Sequence, residues 1–138
     1  MKIISWNCRG LARPQAERAV RALIRRHNPN CVFLMETKVS AEVMESFWRR
    51  LGFAQGVAVD AVGLAGGICL FWRTELRMVI SKVTGSCISG SITEVSNDKV
   101  WSFFAIYGPP YVDKKEEFWK QSDHIYHKMK KGESFLFI

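Results

Sequence analysis

The sequence has no C-x-x-C pair, no apolar stretch long enough to cross a bilayer and no low-complexity segment, and each absence removes a class of protein. Its cysteines, Cys8, Cys31, Cys69 and Cys87, are scattered, and three of them lie in short apolar runs where a thiol behaves as a small hydrophobe. They read as reduced structural residues with no disulfide partner. Ahead of Ser5 stand one lysine and too few apolar residues for a secretory h-region, and the Gly-rich stretch up to Trp72 is interrupted by Asp60. Neither a leader nor a membrane partner is therefore expected, and a reducing intracellular compartment is the expected setting. Internal repeats and linkers are also missing, which reads as one domain over residues 1–138.

Acidic residues are in deficit. Thirteen Asp and Glu against 20 Lys and Arg leave a formal charge of +7, which fits a polyanionic partner such as nucleic acid, although a solvated basic surface has the same composition. With 48% hydrophobic and 24% charged residues the chain has the composition of a globular domain, not of a disordered tail.

Residues 2–7 are short, apolar and β-prone, and Gly10 and Pro14 punctuate the stretch after them, so a strand ending at Asn7 and then a turn are predicted. From Pro14 to His27, Ala16, Ala19, Val20, Leu23, Ile24 and His27 recur at helical spacing, with Arg18, Arg21 and Arg25 on the other side. That is an amphipathic helix with a basic outer face. Asn28 to Asn30 break it, and the continuous apolar run at 31–35 predicts a strand covered on both faces and ending at Glu36. Ser40 can cap a second helix carrying Met44, Phe47, Trp48 and Leu51 on one face, with Gly52 where a left-handed residue is wanted. Runs at 53–59, 67–73, 77–84, 86–95 and 99–107 then read as an antiparallel meander. Asp113 and Glu116 resemble a capping box for a third helix ended by Gly132, and residues 135–138 read as a strand.

Two parallel strands joined by a crossover helix bring their C-terminal ends to one edge of the sheet, where open α/β sheets bind ligands. Asn7 and Glu36 are therefore expected side by side. An acid directly after a buried run is costly to desolvate, and a bound cation would relieve that cost. Mg²⁺ needs only one or two protein carboxylates, so Glu36 is a candidate sole carboxylate ligand, though a Glu after a strand is also an ordinary capping or surface residue. Tyr107 ends an apolar strand ahead of Gly108, Pro109 and Pro110. Its hydroxyl can reach the same rim and donate to a phosphate oxygen, or it can be a core tyrosine with its hydroxyl at the surface.

The strings ISWNCRGL at 4–11, LMETK at 34–38, AGGICLFW at 65–72 and IYGPP at 106–110, in that order, resemble the endonuclease/exonuclease/phosphatase (deoxyribonuclease-I-like) superfamily over essentially the whole chain. The forms WNCRGL, METK and IYGPP are most similar to endonuclease domains of plant LINE-type retroelements. The resemblance implies a four-layer α/β sandwich, with a mixed sheet flanked by helices, that hydrolyses phosphodiesters with Mg²⁺, or with Mn²⁺ in its place. Asn7 matches the family's asparagine that orients catalytic groups and phosphate, with a secondary role beside the metal. Glu36 matches its metal-binding glutamate, and Tyr107 its tyrosine that hydrogen-bonds the substrate phosphate. DNA is the implied partner, which makes the nucleus a natural location.

Some relatives carry an acid two positions after the asparagine; Arg9 stands there, which suggests a substrate-phosphate contact instead of a second carboxylate. The family's Gly-Asp-x-Asn motif, whose aspartate activates water, is expected after a strand like residues 135–138 and does not occur in this sequence. Ser122, Asp123 and His124 spell the family's C-terminal Ser-Asp-His motif, but they fall mid-helix on the predicted pattern and are rejected as its counterpart. The expectation is an N-terminal part of the domain, inactive by itself, whose uncovered inner sheet face promotes self-association. The alternatives are a non-catalytic nucleic-acid-binding module using Arg18, Arg21 and Arg25 with Lys128, Lys130 and Lys131, and a phosphatase of a small phosphorylated substrate.

Overall fold

A computed structural model describes residues 1–108, 116–117, 120, 123 and 134–138. The first strand, β1 (Ile3–Asn7), leads through a loop into helix α1 (Pro14–His27) and then β2 (Cys31–Met35), which pairs parallel with β1. Pro14 opens α1, where its missing N–H costs nothing, and Asn28 closes it in the left-handed conformation while donating its N–H to Ile24 O. The buried stripe is narrower than the sequence pattern predicted: Ala16, Val20 and Ile24 are buried, whereas Ala19 and His27 are exposed.

Helix α2 (Ala41–Arg50) begins at Ser40, whose hydroxyl accepts the Val43 N–H at 3.2 Å. Gly52 follows the helix at φ +83°, a conformation that a side chain resists. Ser40→Ala is expected to lower stability by about 1 kcal/mol, read as a shift in thermal midpoint with no change in the shape of the melt.

The strand-rich middle of the chain is not one meander. Strands β3 (Gln55–Val59) and β4 (Ile68–Trp72) join the first sheet, in the order β1-β2-β4-β3, with β4 antiparallel to both its neighbours. Strands β5 (Leu76–Val83), β6 (Cys87–Glu94) and β7 (Val100–Ile106) form a second, antiparallel sheet, to which β8 (Phe135–Phe137) adds parallel to β7. The short link between Trp72 and Leu76 thus passes from one sheet to the other. Strand spacing alone carries no sign of such a change.

Side-chain alternation explains the apolar runs. Val32, Leu34, Cys69 and Phe71 face one way and pack with Val20, Ile24, Met44, Phe47 and Trp48 of the helices. Cys31, Phe33, Ile68, Leu70 and Trp72 face the other way and meet Leu76, Ile88, Ile92, Phe103 and Ala105 of the second sheet. The central strands are therefore covered on both sides, as a continuous apolar run requires. The expected uncovered inner face is corrected here: both sheets belong to this chain, and their inner faces bury each other. Burial pushes the Cys31 thiol up to about 12 and the Cys69 thiol well above its ordinary range, and all four cysteines are unpaired.

The architecture is α/β, two stacked sheets with helices α1 and α2 outside the first. The predicted third helix falls mostly outside the described residues. Glu116, Glu117, Lys120 and Asp123 are helical and exposed, and Lys120 pairs with Glu116 at 3.2 Å. Ser122, His124, Lys128, Lys130 and Lys131 lie outside the described residues. No described helix is long and apolar enough to cross a membrane.

Candidate active site at the junction of the two sheets

Parallel pairing aligns Asn7 with Met35, so Glu36 emerges one residue beyond Asn7 at the shared C-terminal edge of β1 and β2. Glu36 does not continue the strand. Its φ is +52°, and its neighbours at the edge, Arg9 at +48° and Lys38 at +55°, are also left-handed. Non-glycine residues in that region cost on the order of 1 kcal/mol each and persist only where their surroundings hold them.

The surroundings here are two backbone clamps. From the β1 side, the N–H groups of Cys8, Gly10 and Leu11 donate to the carbonyls of Met35, Glu36 and Thr37 at 3.0, 2.7 and 2.8 Å. From the other side, Thr37 and Lys38 donate to the carbonyls of Gly67 and Gly66 at 3.1 and 3.0 Å. The buried Cys8 thiol adds a contact to Met35 O at 3.2 Å, and burial, with the Glu36 charge nearby, pushes that thiol's pKa up.

Tyr107 follows β7 in the second sheet, yet its phenol donates to Glu36 Oε1 at 2.5 Å, across 71 positions of sequence. This bond ties the two sheets together at the functional edge and aims the carboxylate. The sequence offered a hydroxyl that reaches this rim and donates to a phosphate oxygen, or a core tyrosine; the structure brings the hydroxyl to the rim, where it donates to the Glu36 carboxylate. Asn7 lies beside them, exposed, with its side-chain oxygen accepting the Arg9 N–H at 3.1 Å, a local turn bond that shapes the loop. Arg9 is exposed, and its carbonyl accepts from Arg13 at 2.9 Å. Glu36 and Tyr107 are thus joined directly, with Asn7 and Arg9 on the same rim.

Sequence reasoning missed Thr37 and the Gly66–Gly67 pair. Thr37 is fully buried, its hydroxyl has no partner among the described residues, and a Cβ at Gly67 would collide with it. Gly67 also sits at φ +85°. The signal was the glycine pair before an apolar strand, which marks a close backbone approach. Gly67→Ala is expected to cost about 1–3 kcal/mol, and Thr37→Ala in the same chain should recover part of it; a double-mutant cycle in urea measures that coupling. A groove of about 620 Å³ beside α2 and β3 contains none of these residues.

A family model for the endonuclease/exonuclease/phosphatase family matches residues 4–133. The chain belongs to this family. Comparison with curated protein sequences returned no match. Among solved structures, D. rerio TDP2 complexed with a single-strand DNA product is similar at TM-score 0.71 and 17% identity, over 99% of this chain and 58% of that one. The 3′ phosphatase NExo from Neisseria bound to a product DNA hairpin is similar at TM-score 0.65 and 15% identity, over 99% and 56%. An AP endonuclease from Archaeoglobus fulgidus gives TM-score 0.65 and 16% identity, over 99% and 55%. At these identities the likeness is one of fold, the deoxyribonuclease-I-like sandwich of the family. The chain spans somewhat more than half the length of each of these neighbours.

Proposed function

We propose that the chain supplies the metal-holding and phosphate-orienting part of a hydrolytic site for nucleic-acid phosphodiesters, in a DNA-nicking endonuclease of the plant LINE-type retroelement class. The observation that carries this reading is the Tyr107–Glu36 bond: a carboxylate at a strand end, held in a left-handed conformation, receives a hydroxyl from the facing sheet at 2.5 Å. Strain concentrated at a ligand edge is a sign of function. The strings WNCRGL, METK and IYGPP support the retroelement class. The neighbours bound to DNA products, D. rerio TDP2 and the Neisseria phosphatase, support a nucleic-acid substrate.

The donors at the edge are a carboxylate, an amide and a phenol, all oxygen, and no group of three or more His, Cys, Asp or Glu suited to a metal occurs among the described residues. That chemistry fits a hard cation such as Mg²⁺, or Mn²⁺, which takes one carboxylate and fills its shell with water and phosphate oxygens, and does not fit a zinc-type cage. Glu36 would hold the ion, with Asn7 beside it. A bound cation would polarise the phosphoryl oxygen and activate water. Tyr107 keeps the carboxylate aimed, Asn7 shapes the loop that presents Arg9, and the Arg9 guanidinium faces solvent where a phosphate can be paired.

The sequence holds no Gly-Asp-x-Asn string, and helical, exposed Asp123 is not a strand-end aspartate, so the water-activating base is not among the residues assigned to this site. Loss of one member of a catalytic unit removes most of its activity. The test pairs Mn²⁺ titration with nicking of supercoiled plasmid in Mg²⁺. The reading expects saturable metal binding with little or no turnover. Failure to bind either ion would overturn the metal assignment, and fast Mg²⁺-dependent nicking would overturn the incompleteness. Release of phosphate from a small phosphoester without DNA cleavage would favour the phosphatase class instead.

A further inference from the structure

Helix α1 buries Ala16, Val20 and Ile24, and at 3.6 residues per turn the positions opposite that stripe are Arg18 and Arg25, two turns apart, with Arg26 beside them. All three are exposed and form no ion pair with any described residue. The contrast with the rest of the helical layer is sharp. Arg21 is neutralised by Glu17, the only acid in α1, at 2.8 Å, and lies over the Phe47 ring at 5.5 Å. On α2, Arg49 is paired with Glu45 at 2.8 Å. Arg50 of α2 is also exposed and has no ion pair among the described residues, but Glu42 and Glu45 balance the two arginines of that helix, so the net positive charge of this layer lies on α1. Arg25 and Arg26, in the last turn, gain from the helix dipole, but Arg18 lies too far from that end to do so.

The helix that carries this charge begins beside the candidate active site. Arg9 and Arg13 stand on the loop that clamps Glu36, and Arg13 is the residue from which α1 starts. From there the helix runs back across the sheet; Arg13 spends its guanidinium on the loop carbonyls of Arg9 and Gly10, and Arg18 and Arg25 step away from the functional edge about 10 Å apart, the length of about three base pairs. The outward neighbours are Gln15, Ala19 and Ala22. A helix that lies on a membrane presents large apolar residues, and α1 turns its apolar residues into the core. Guanidinium groups without carboxylate partners, beside small side chains, fit a phosphate backbone.

We propose that the outer face of α1 is a phosphodiester track, which leads nucleic acid flanking the reacting position away from the Glu36–Tyr107 edge. The direction of the track rests on the functional reading above; its binding of nucleic acid does not require catalysis. The test is fluorescence anisotropy of the full chain with a labelled 30-base-pair duplex over a salt series. Arg18→Glu/Arg25→Glu should lower affinity at least about tenfold and flatten the log–log salt slope by about 2, while Arg18→Lys/Arg25→Lys keeps the slope and Arg49→Gln leaves binding unchanged. Both substituted positions are exposed, and a thermal melt confirms that the variants fold. An unchanged slope and affinity in the charge-reversed chain would overturn the track. So would binding of the wild type to phosphatidylserine vesicles with no binding to the duplex. Loss of metal binding with an intact salt slope would remove the hydrolytic reading and leave the track standing.

Discussion

Phe33→Ala is expected to remove about 3–5 kcal/mol of folding free energy, a large part of the 5–15 kcal/mol that an ordinary domain has. Phe33 is fully buried on β2, on the face turned to the second sheet, among Ile68, Leu70, Ile88, Ile92 and Phe103. Its ring is among the largest fully buried groups of the core shared by the two separately hydrogen-bonded sheets. Truncation loses the transfer free energy of the ring and leaves a cavity between two rigid layers that collapse poorly onto it. Phe33→Leu should cost markedly less, because most of the volume stays. Urea titration checks both: the midpoint should fall in the order wild type, Leu, Ala at a similar m-value. A loss below 1 kcal/mol for the alanine variant would mean that the two sheets do not share this core.

The first half of the chain is legible in the sequence because its signals are local. Pro14 and Asn28 bound α1, Ser40 and Gly52 bound α2, and the unbroken run at Cys31–Met35 announces a strand with two covered faces. The division of the later strands is not legible, because it depends on which strand pairs with which. Ile68–Trp72 and Leu76–Val83 look alike as neighbouring β-prone runs, yet the first joins β2 and the second begins another sheet. Only the burial pattern separates them: all of Ile68–Trp72 is buried, whereas Arg77, Val79 and Ser81 to Val83 are exposed.

At the site, the strand-end placement of Asn7 and Glu36 follows from a parallel β-α-β unit and was predictable from its residues. The Tyr107 contact was not, since it depends on how the second sheet stacks. Nor was Thr37. A buried hydroxyl lying where a Cβ on Gly67 would fall has no sequence signature beyond the two glycines, and the left-handed Glu36 next to it appears only in the backbone. The basic face of α1 was partly misread for a similar reason: spacing places Arg21 with Arg18 and Arg25, but Glu17 and Phe47 take it out of the free charge.

Glu36→Gln is expected to abolish measurable Mn²⁺ binding while leaving the fold intact, and this separates a ligand from a structural acid. Glutamine is nearly isosteric, its side-chain oxygen can still accept from Tyr107, and the backbone clamps from Cys8 to Leu11 and from Gly66 and Gly67 do not involve the side chain. The thermal midpoint should therefore stay within a few degrees of wild type. The negative charge, which a hard cation requires, is what disappears. Tyr107→Phe tests the other half of the bond. The carboxylate keeps its charge but loses the donor that aims it, so affinity for Mn²⁺ should fall by about 10- to 100-fold, the usual effect of removing a group that orients a ligand. The ordering is the informative result, with the glutamine variant weaker than the phenylalanine variant and both well folded. Equal Mn²⁺ affinity in wild type and Glu36→Gln would show that the Tyr107–Glu36 bond is a clasp between the two sheets and that the cation, if bound, is held elsewhere.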